Sequence, residues 1–548
     1  MPNGHAPDPG RPAPPSAGGP LPAAVLPPLD PAVVEALLDG PQAGHREVPP
    51  ARQVFVNRNL RMDVIEAVGF DMDYTLAIYQ LRELEELAFG LTVDRLVTHA
   101  GYPAALRQTR YDPSFVIRGL VVDKQHGNLF KMDRHNFVGR AYHGRRALPD
   151  EALRRLYRDE KIHLSSPRFA WIDTLFALPE ACLFADAIEL LEQGGATVDY
   201  VKLFDDIREH IDTVHRDGTL KAQVLADLPR YLVKDPELGP TLHRLRSGGK
   251  KLFLLTNSMA DYTEAVMRHV LDGLLPEYPS WRKYFDAIVT GAQKPGFFSE
   301  RRPLLLLGPD GRPAGEATAF ERGRTTQGGD LSRLEELLGV GGERILYVGD
   351  HIYGDILRSR KSSLWRTCLV VEELERELGW LTGHRDTLAA LDRLERLRVR
   401  LEDGVASHRT ALNQAEKRLE REGTDGARPP LEAERRRLKG ELDTLRRALR
   451  ETNGSVALLN LELEAGVNPS WGFTFKEGNE NSRFGEQVED YACLYTSRVS
   501  NLGYYSPMER FRSPRATMPH ERATVVLSTW GAEHAPAAAA ARPSKAST

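Results

Sequence analysis

Cysteine is scarce in this chain of 548 residues. Its three cysteines, Cys182, Cys368 and Cys493, are far apart and form no C-x-x-C pair. The sequence therefore predicts neither a disulfide framework nor a zinc site. Free cysteines at scattered positions are typical of a reducing compartment, and we expect a cytoplasmic protein.

Long apolar runs and a large net charge are also missing. No stretch reaches the roughly 18 apolar residues of a membrane-spanning helix, and no basic segment followed by an apolar run opens the chain. The formal net charge of −4 creates no field that would attract a polynucleotide or an anionic bilayer. We therefore expect no nucleic-acid polymer, no membrane and no secretion. Hydrophobic residues make up 41% of the chain, which is enough for a buried core.

Composition sets the two ends of the chain apart from the rest. Fourteen of the 36 prolines fall within the first 50 residues, and an alanine-rich row closes the chain. Such segments offer little periodic apolar surface to bury. Residues 1–48 and 531–548 are therefore predicted to be disordered tails.

Apolar runs of strand type alternate with helical patterns in residues 49–80 and 246–375. This alternation predicts an α/β core with a parallel sheet covered on both faces. Residues 81–245 are too many for a crossover between neighbouring strands, so we expect an inserted cap domain there. Leucines at helical spacing over residues 376–465 predict a helical hairpin, and residues 466–530 are expected to pack on the core.

Five short apolar runs are the predicted strands of the core. They cover residues 64–70, 251–255, 287–290, 344–348 and 367–371. The helix before the fourth run is predicted to begin with a capping box formed by Ser332 and Glu335 and to end at Gly339.

Two aspartates follow the first predicted strand directly, in the sequence DMDYT at residues 71–75. Catalytic groups of open α/β sheets collect beyond the carboxyl ends of strands, which places Asp71 and Asp73 together at such an edge. Two close carboxylates repel each other unless a cation, a shared proton or strong donors compensate them. A hard cation such as Mg²⁺ meets this need, and one carboxylate is then able to attack phosphorus while the other handles a proton. By itself the motif is equally compatible with a solvated turn.

Three further strand ends carry groups that phosphoryl transfer requires. The second run leads into Thr256, Asn257 and Ser258, whose hydroxyls and amides are suited to phosphate oxygens. Lys294 follows the third run and offers an ammonium group. The fourth run leads into GDHIYGD at residues 349–355, which is a second acidic pair. Each signal is weak alone, but their order and common position predict one catalytic edge.

These motifs resemble the four motifs of the haloacid dehalogenase superfamily, namely DMDYT, Thr256, Lys294, and Asp350 with Asp355. A closer resemblance is to the cytosolic purine 5′-nucleotidase family, and it covers about residues 53 to 523. It rests on residues 54–63, 69–77, 350–359 and 504–508. The resemblance implies a Rossmann-like parallel sheet with a large cap, and hydrolysis of nucleoside 5′-monophosphates, inosine or guanosine monophosphate in particular.

The resemblance also implies roles for single residues. Asp71 is the nucleophile that forms an aspartyl-phosphate, and Asp73 is the general acid and base. Asp71, the backbone carbonyl of Asp73 and Asp350 hold Mg²⁺, with Asp355 in the outer shell. The family further implies a homo-oligomer, and transfer of the phosphoryl group to a nucleoside acceptor remains open beside hydrolysis.

The resemblance assigns the phosphate group to Thr256 and Lys294. It assigns contacts with the nucleoside to residues in the expected cap, namely Arg208, Asp212, His215 and Lys221. Without the family, Arg208 and Asp212 four residues apart would be interpreted as an exposed ion pair.

One position departs from the family. Its purine enzymes have an aromatic residue and an asparagine after a His-Gly pair, whereas this chain has Arg145 and Arg146. These arginines are candidates for stacking on the base or for binding a second anionic group, so base selectivity is expected to be altered. A phosphatase of another small phosphomonoester and a catalytically silent, nucleotide-sensing scaffold are the alternatives.

Overall fold

The computed structural model describes residues 48–158, 162–357, 363–421, 428–515 and 518. Apart from Val48, both predicted tails lie outside the described residues. So do residues 423–427 of the predicted break in the hairpin.

Strands β1 to β21 are numbered in chain order. They are Phe55–Val56, Leu60–Arg61, Ala67–Phe70, Ile78–Tyr79, Leu120–Asp123, Asn128–Met132, Val138–His143, Arg146–Ala147, Phe169–Ile172, Leu232–Val233, Lys251–Leu255, Ala287–Thr290, Leu304–Leu307, Pro313–Glu316, Thr326–Gly328, Ile345–Gly349, Arg366–Val370, Lys476–Glu477, Glu480–Asn481, Leu494–Thr496 and Arg510–Phe511. Helices α1 to α13 are Leu81–His99, Asp150–Leu153, Leu178–Gln193, Tyr200–Arg216, Thr219–Ala226, Leu228–Tyr231, Leu238–Ser247, Ala260–Leu271, Leu331–Leu338, Glu373–Gly383, Arg385–Arg421, Arg428–Val467 and Arg483–Tyr491.

A ten-stranded sheet forms the centre of the molecule, in the order β1-β20-β17-β16-β3-β11-β12-β15-β13-β14. Strands β20 to β15 in this order run parallel, and the strands at the two edges pair antiparallel. The α/β fold with a mostly parallel sheet, predicted from the sequence, is confirmed. Strand β20 comes from the predicted C-terminal segment, which therefore enters the sheet as well as packing on it.

The central strands are buried along their whole length, as their apolar sequences require. β3, β12 and β16 have every residue buried, and β11 exposes only its first. Strands covered by helices on both faces cannot alternate polar and apolar residues, so continuous apolar runs identify them. β3 lies between β16 and β11, which puts the residues after its carboxyl end at the middle of the sheet edge.

The interval between β4 and β11 contains a second sheet of five antiparallel strands, in the order β8-β7-β6-β5-β9. Helices α3 and α4 belong to the same interval, and the short strands β4 and β10 pair where the chain leaves and rejoins the core. This is the region where an inserted cap was predicted.

Helices α11 and α12 pack against each other as an antiparallel pair. His408 on α11 faces Glu441 on α12, with 3.4 Å between Nε2 and a carboxylate oxygen. α12 begins at Arg428, three residues earlier than the resumption of the pattern at residue 431 suggested. No helix among the described residues is both long and apolar enough to cross a membrane.

The start of α9 differs from the sequence-based expectation. Asp330, not Ser332, caps the helix, because its side chain accepts a hydrogen bond from the amide of Arg333. Glu335 is therefore free of the capping box and instead accepts hydrogen bonds from the Gly342 amide and the Trp365 indole. The predicted end at Gly339 is confirmed, and this glycine has the left-handed conformation typical of a helix stop.

We predict that Gly69→Ala destabilises the protein by about 1–3 kcal/mol, because overpacking a core strains its neighbours. A Cβ atom at Gly69 in β3 would lie 2.1 Å from the ring of Phe253 in β11. The change in urea unfolding midpoint measures this effect. Gly440→Ala on α12 is the matched control: its Cβ would meet nothing within 4 Å, and alanine should stabilise the helix by up to about 1 kcal/mol. An unchanged midpoint for Gly69→Ala would contradict the packing described for β3 and β11.

Candidate active site

Asp71 lies at the centre of the carboxyl-terminal edge of the large sheet. Its amide donates a hydrogen bond to the carbonyl of Val348 in β16 (2.9 Å), which continues the pairing of β3 with β16 by one residue. Its carboxylate oxygen Oδ1 accepts a hydrogen bond from the amide of Met72 (2.8 Å). The backbone therefore fixes the carboxylate in one orientation beyond the strand end.

Lys294 connects the first and fourth predicted motifs. Its Nζ atom lies 2.9 Å from Oδ2 of Asp71 and 2.6 Å from Oδ1 of Asp355, and it donates a hydrogen bond to the hydroxyl of Tyr347 (3.0 Å). The lysine side chain is only 4% exposed. Burial alone would lower the pKa of Lys294, but the carboxylates of Asp355 and Asp71 raise it well above its usual value. The lysine is therefore a fixed positive charge among these acids.

The loop that carries Lys294 is held to the loop after β11. The Lys294 amide donates to Oδ1 of Asn257 (2.6 Å), and Nδ2 of Asn257 donates to the Lys294 carbonyl (3.0 Å). The side chain of Asn257 thus joins two loops, while its neighbour Thr256 is fully buried at the strand end. The Thr256 hydroxyl accepts a hydrogen bond from the Ser258 amide (3.1 Å).

Three carboxylates come together at this edge. Asp71, Asp350 and Asp355 each offer an oxygen atom, and these atoms all lie within 4.8 Å of one another. Asp350 is 4% exposed, and its Oδ2 atom has no hydrogen-bond partner among the described residues. Burial, followed by the charge of Asp355, raises the pKa of Asp350. A buried carboxylate oxygen without a partner, beside two further carboxylates, is the donor set that a hard divalent cation takes.

Gly349 allows Asp355 to approach the end of β16. A Cβ atom at this glycine would lie 2.6 Å from Oδ2 of Asp355. Asp355 is 1% exposed and also accepts a hydrogen bond from the amide of His351 (3.3 Å). The glycine before Asp350 is therefore a steric requirement of the acidic pair.

Asp73 has hydroxyl donors on both carboxylate oxygens. Tyr79 donates to Oδ1 (2.6 Å) and Ser258 donates to Oδ2 (2.9 Å). The hydroxyl of Tyr79 also lies 3.0 Å from that of Tyr262. Lys221 of α5 places its ammonium group over the ring of Tyr262, 4.9 Å from the ring centre. A chain of contacts thus connects a predicted cap residue with the second aspartate.

Several of these partners had no signal in the sequence. Tyr79, Tyr262 and Tyr347 belong to helices or strands whose sequences show only ordinary packing positions. Their hydroxyls become informative only when the strand ends are brought together, because no spacing rule relates them to Asp73 or Lys294.

Arg118 is a further residue that sequence reasoning missed. Its guanidinium group is fully buried and makes two hydrogen bonds with the Glu373 carboxylate (2.7 and 2.6 Å). It also donates to the backbone carbonyl of Asp350 (2.9 Å). Beside it, the His351 ring lies 3.3 Å from Asp173, which follows β9. Burial alone would lower the pKa of His351, but the neighbouring carboxylate of Asp173 raises it to about 9. The contacts of Arg118 and Asp173, which flank β5 and β9, connect the ends of the second sheet to the loop of Asp350.

The predicted base-contacting arginines are engaged with carboxylates. Arg208 makes close contacts with both oxygens of Glu180 (2.6 and 2.7 Å), not an ion pair with Asp212 as the isolated spacing suggested. Glu180 is 2% exposed, and its burial raises its pKa to about 7 against the opposing effect of Arg208. Arg145 lies between Asp186 (2.5 Å) and Asp112 (3.1 Å).

The remaining cap candidates differ in exposure. Asp212 on α4 and Arg146 on β8 are exposed. His215, near the end of α4, packs edge-on against Phe176, and its Nε2 atom has no hydrogen-bond partner among the described residues. Burial, followed by the charge of Lys221, lowers the pKa of His215 to about 4. His215 is therefore a neutral ring near neutral pH.

Comparisons with known proteins found a matching family and similar sequences. A family model described as the 5′ nucleotidase family matches residues 54–523. A 5′-nucleotidase domain-containing protein of Dictyostelium discoideum is 32% identical over 486 residues, which cover 86% of this chain and 75% of that relative. The 5′-nucleotidase domain-containing protein 2 of Rattus norvegicus is 33% identical, and that of Homo sapiens is 32% identical, each over 59% of this chain. The matches span 60% and 64% of those two mammalian relatives, which is less than two thirds of their length.

Among solved structures, CbbY from Rhodobacter sphaeroides in complex with phosphate matches with 17% identity and a TM-score of 0.22. The match covers 56% of this chain and 86% of that chain. A TM-score this low supports no inference about activity.

We predict that His215→Asn flattens the loss of stability on acidification. The pKa of His215 is lowered in the folded protein from 6.5 to about 4, so the unfolded chain binds a proton there that the folded chain does not. The stability that the neutral ring contributes is present above pH 6.5 and is lost as pH falls towards 4. Urea unfolding at a series of pH values should show the variant losing less stability over this interval, by an amount on the order of 2 kcal/mol. The exposed His135→Asn serves as control, and parallel curves for His215→Asn and the parent would contradict the prediction.

Proposed function

The chain belongs to the 5′-nucleotidase family, and we propose that it hydrolyses nucleoside 5′-monophosphates with Mg²⁺ through an aspartyl-phosphate on Asp71. Membership of this family makes it a hydrolase of phosphoric monoesters. The main support for a Mg²⁺-dependent mechanism through Asp71 is the contact of Lys294 with both Asp71 and Asp355, beside the unpartnered oxygen of Asp350. This arrangement combines a nucleophile, a fixed cation and a metal-binding donor set at one sheet edge.

The residues at this edge fit Mg²⁺. Asp71 and Asp350 would supply carboxylate oxygens and Asp73 its backbone carbonyl, while Asp355, which is in contact with Lys294, would act in the outer shell as the family resemblance implies. When bound, the ion neutralises the phosphate and lowers the repulsion between it and the attacking carboxylate. The missing hydrogen bond at Asp350 Oδ2 supports this assignment.

Asp71 is the proposed nucleophile. Its carboxylate attacks phosphorus, the bond between phosphorus and the ribose 5′-oxygen breaks, and an acyl phosphate forms on Asp71. The Met72 amide and Lys294 hold the two oxygens of this carboxylate, so the attacking group is positioned before substrate binds. Lys294 would also balance the charge of the transferred group, since its pKa is raised and it keeps its proton.

Asp73 is the proposed general acid and base. It donates a proton to the departing 5′-oxygen and then takes a proton from the water that attacks the acyl phosphate, which returns free Asp71 and inorganic phosphate. Hydrogen bonds from Tyr79 and Ser258 hold the Asp73 carboxylate in one orientation. The Thr256 hydroxyl and the amides after β11 would bind the oxygens of the phosphate.

The cap is proposed to contact the nucleoside. Lys221 is connected to Asp73 through Tyr262 and Tyr79, which supports a place for it near the ribose or phosphate. His215 and Asp212 are proposed further contacts from α4. Arg208 and Arg145 each have carboxylate partners, so a purine would meet arginines whose charge is already compensated. We propose purine monophosphates as substrates with relaxed selectivity, because Arg145 and Arg146 stand where the family's purine enzymes have an aromatic residue and an asparagine.

We predict that Asp71→Asn lowers Mg²⁺-dependent phosphate release by at least about 1,000-fold, because the amide cannot form the acyl phosphate. The thermal unfolding midpoint of the variant should not fall below that of the parent, because the substitution removes one of several carboxylates that repel each other. The control Asp443→Asn makes the same change at an exposed position of α12, where the side chain is 57% exposed, and should keep full activity. Removal of Mg²⁺ with EDTA should abolish the activity of the parent. Activity that survives in Asp71→Asn would contradict the mechanism.

A second prediction concerns the base. Phosphate release from inosine, guanosine, adenosine and pyrimidine monophosphates should be measured at equal concentration, and the rates for the purines should agree within about tenfold. The same assay with an added nucleoside acceptor measures transfer beside hydrolysis. Strict selection of the 6-oxopurines would show that Arg145 and Arg146 do not relax the selectivity of the cap.

A further inference from the structure

A cavity separate from the proposed catalytic edge lies beside helices α1 and α10. Its volume is about 480 Å³, and neither aspartate of the DMDYT motif nor Lys294 lines it. Its walls include the apolar side chains of Leu81, Ile117 and Leu178. A cavity of this size with largely apolar walls is suited to a small organic molecule.

Four glutamates line this cavity, and two of them already have an arginine partner. Glu373 forms a two-fold hydrogen-bonded pair with Arg118, and Glu375 lies 2.5 Å from Arg498. The other two, Glu85 and Glu372, form no ion pair with any of the described residues. The positive charge supplied by the protein therefore compensates only half of the acids.

Glu85 is the deepest of these acids. It is 3% exposed, and its Oε1 atom is buried without a hydrogen-bond partner among the described residues. Burial raises the pKa of Glu85 to about 8 against a hydrogen bond from Tyr111, and it raises the pKa of Glu372 to about 8 against the charges of Arg118 and Arg498. Nearby glutamates add to both increases. Burial of a polar oxygen without a hydrogen-bond partner costs desolvation free energy. A cationic hydrogen-bond donor bound at this oxygen would remove that cost.

The outer part of the cavity has the opposite charge. Arg82 and Arg376 line it, are exposed, and form no ion pair with any residue that the structure describes. An acidic group at this end would meet two free guanidinium groups, while a cationic nitrogen at the inner end would meet Glu85 and Glu372. The apolar side chains in the same lining, such as Leu81, Ile117 and Leu178, suit a short chain of methylene groups.

We propose that this cavity is a binding site for a small zwitterion, with its cationic nitrogen at Glu85 and Glu372 and its acidic group at Arg82 and Arg376. The site adjoins the loop of Asp350, because Glu373 at the cavity wall holds Arg118, and Arg118 donates to the Asp350 carbonyl. Occupation of the cavity is therefore expected to change the proposed catalytic activity; this consequence rests on the proposed function, whereas binding does not.

Isothermal titration calorimetry of the full chain with three probes tests the proposal. 6-Aminohexanoate carries both charges across five methylene groups, hexylammonium carries only the cation, and hexanoate carries only the anion. The zwitterion should bind most tightly, and Glu85→Gln should weaken its binding by roughly tenfold or more, because the amide cannot become the carboxylate that would pair with the ammonium group. Glu86→Gln is the matched control, since Glu86 is the exposed neighbour on α1 and does not line the cavity.

Arg376→Gln is a second variant at the exposed rim and keeps the test decisive if Glu85→Gln does not fold. It should weaken binding of 6-aminohexanoate several-fold and leave hexylammonium unchanged. The proposal is overturned if no probe binds the parent, if Glu85→Gln binds the zwitterion as the parent does, or if hexylammonium binds as tightly as 6-aminohexanoate. Phosphate release measured with and without 6-aminohexanoate then shows whether occupation of the cavity changes the catalytic activity. If the activity does not change, the binding result is unaffected.

Discussion

The fold and the proposed chemistry both depend on compensating a buried group of carboxylates. Asp71, Asp350 and Asp355 bring oxygen atoms within 4.8 Å of one another, and Lys294 is the ammonium group that contacts two of them. Carboxylates at such distances cannot all be ionised in a buried site without cations, because desolvation and mutual repulsion each cost several kcal/mol. Three features keep Lys294 close to these carboxylates. They are the sheet topology, the paired loops after β11 and β12, and the glycine before Asp350.

The local part of this arrangement could be predicted from the sequence. Continuous apolar runs predicted the buried strands, and polar residues soon after them, namely Thr256 directly after β11 and Lys294 four residues after β12, predicted the sheet edge now proposed as catalytic. These signals are local, because a strand and the residue that follows it are neighbours in the chain. Strand β12 was predicted with the bounds observed, and β16 within one residue at each end.

The contacts that join distant parts of the chain could not be predicted. Arg118 lies 255 residues from Glu373 and 232 residues from Asp350, and no spacing rule relates them. Helix spacing pointed to Asp212 as the partner of Arg208, but Arg208 instead pairs with Glu180, a carboxylate that is buried in the fold and therefore needs a positive partner more than the exposed Asp212 does. Asp330 likewise replaced Ser332 as a helix cap, since both residues suit the position and only the backbone geometry decides.

The most direct test of this account is to trap the covalent intermediate. The full chain is mixed with a purine nucleoside 5′-monophosphate and Mg²⁺, quenched in acid within the first turnover, and its peptides are analysed by mass spectrometry for an added phosphoryl group. The proposed mechanism predicts the phosphoryl group on the peptide that contains Asp71, and its loss when base hydrolyses the acyl phosphate. A phosphoryl group found on another residue, or turnover without any phosphorylated peptide, would contradict an aspartyl-phosphate on Asp71.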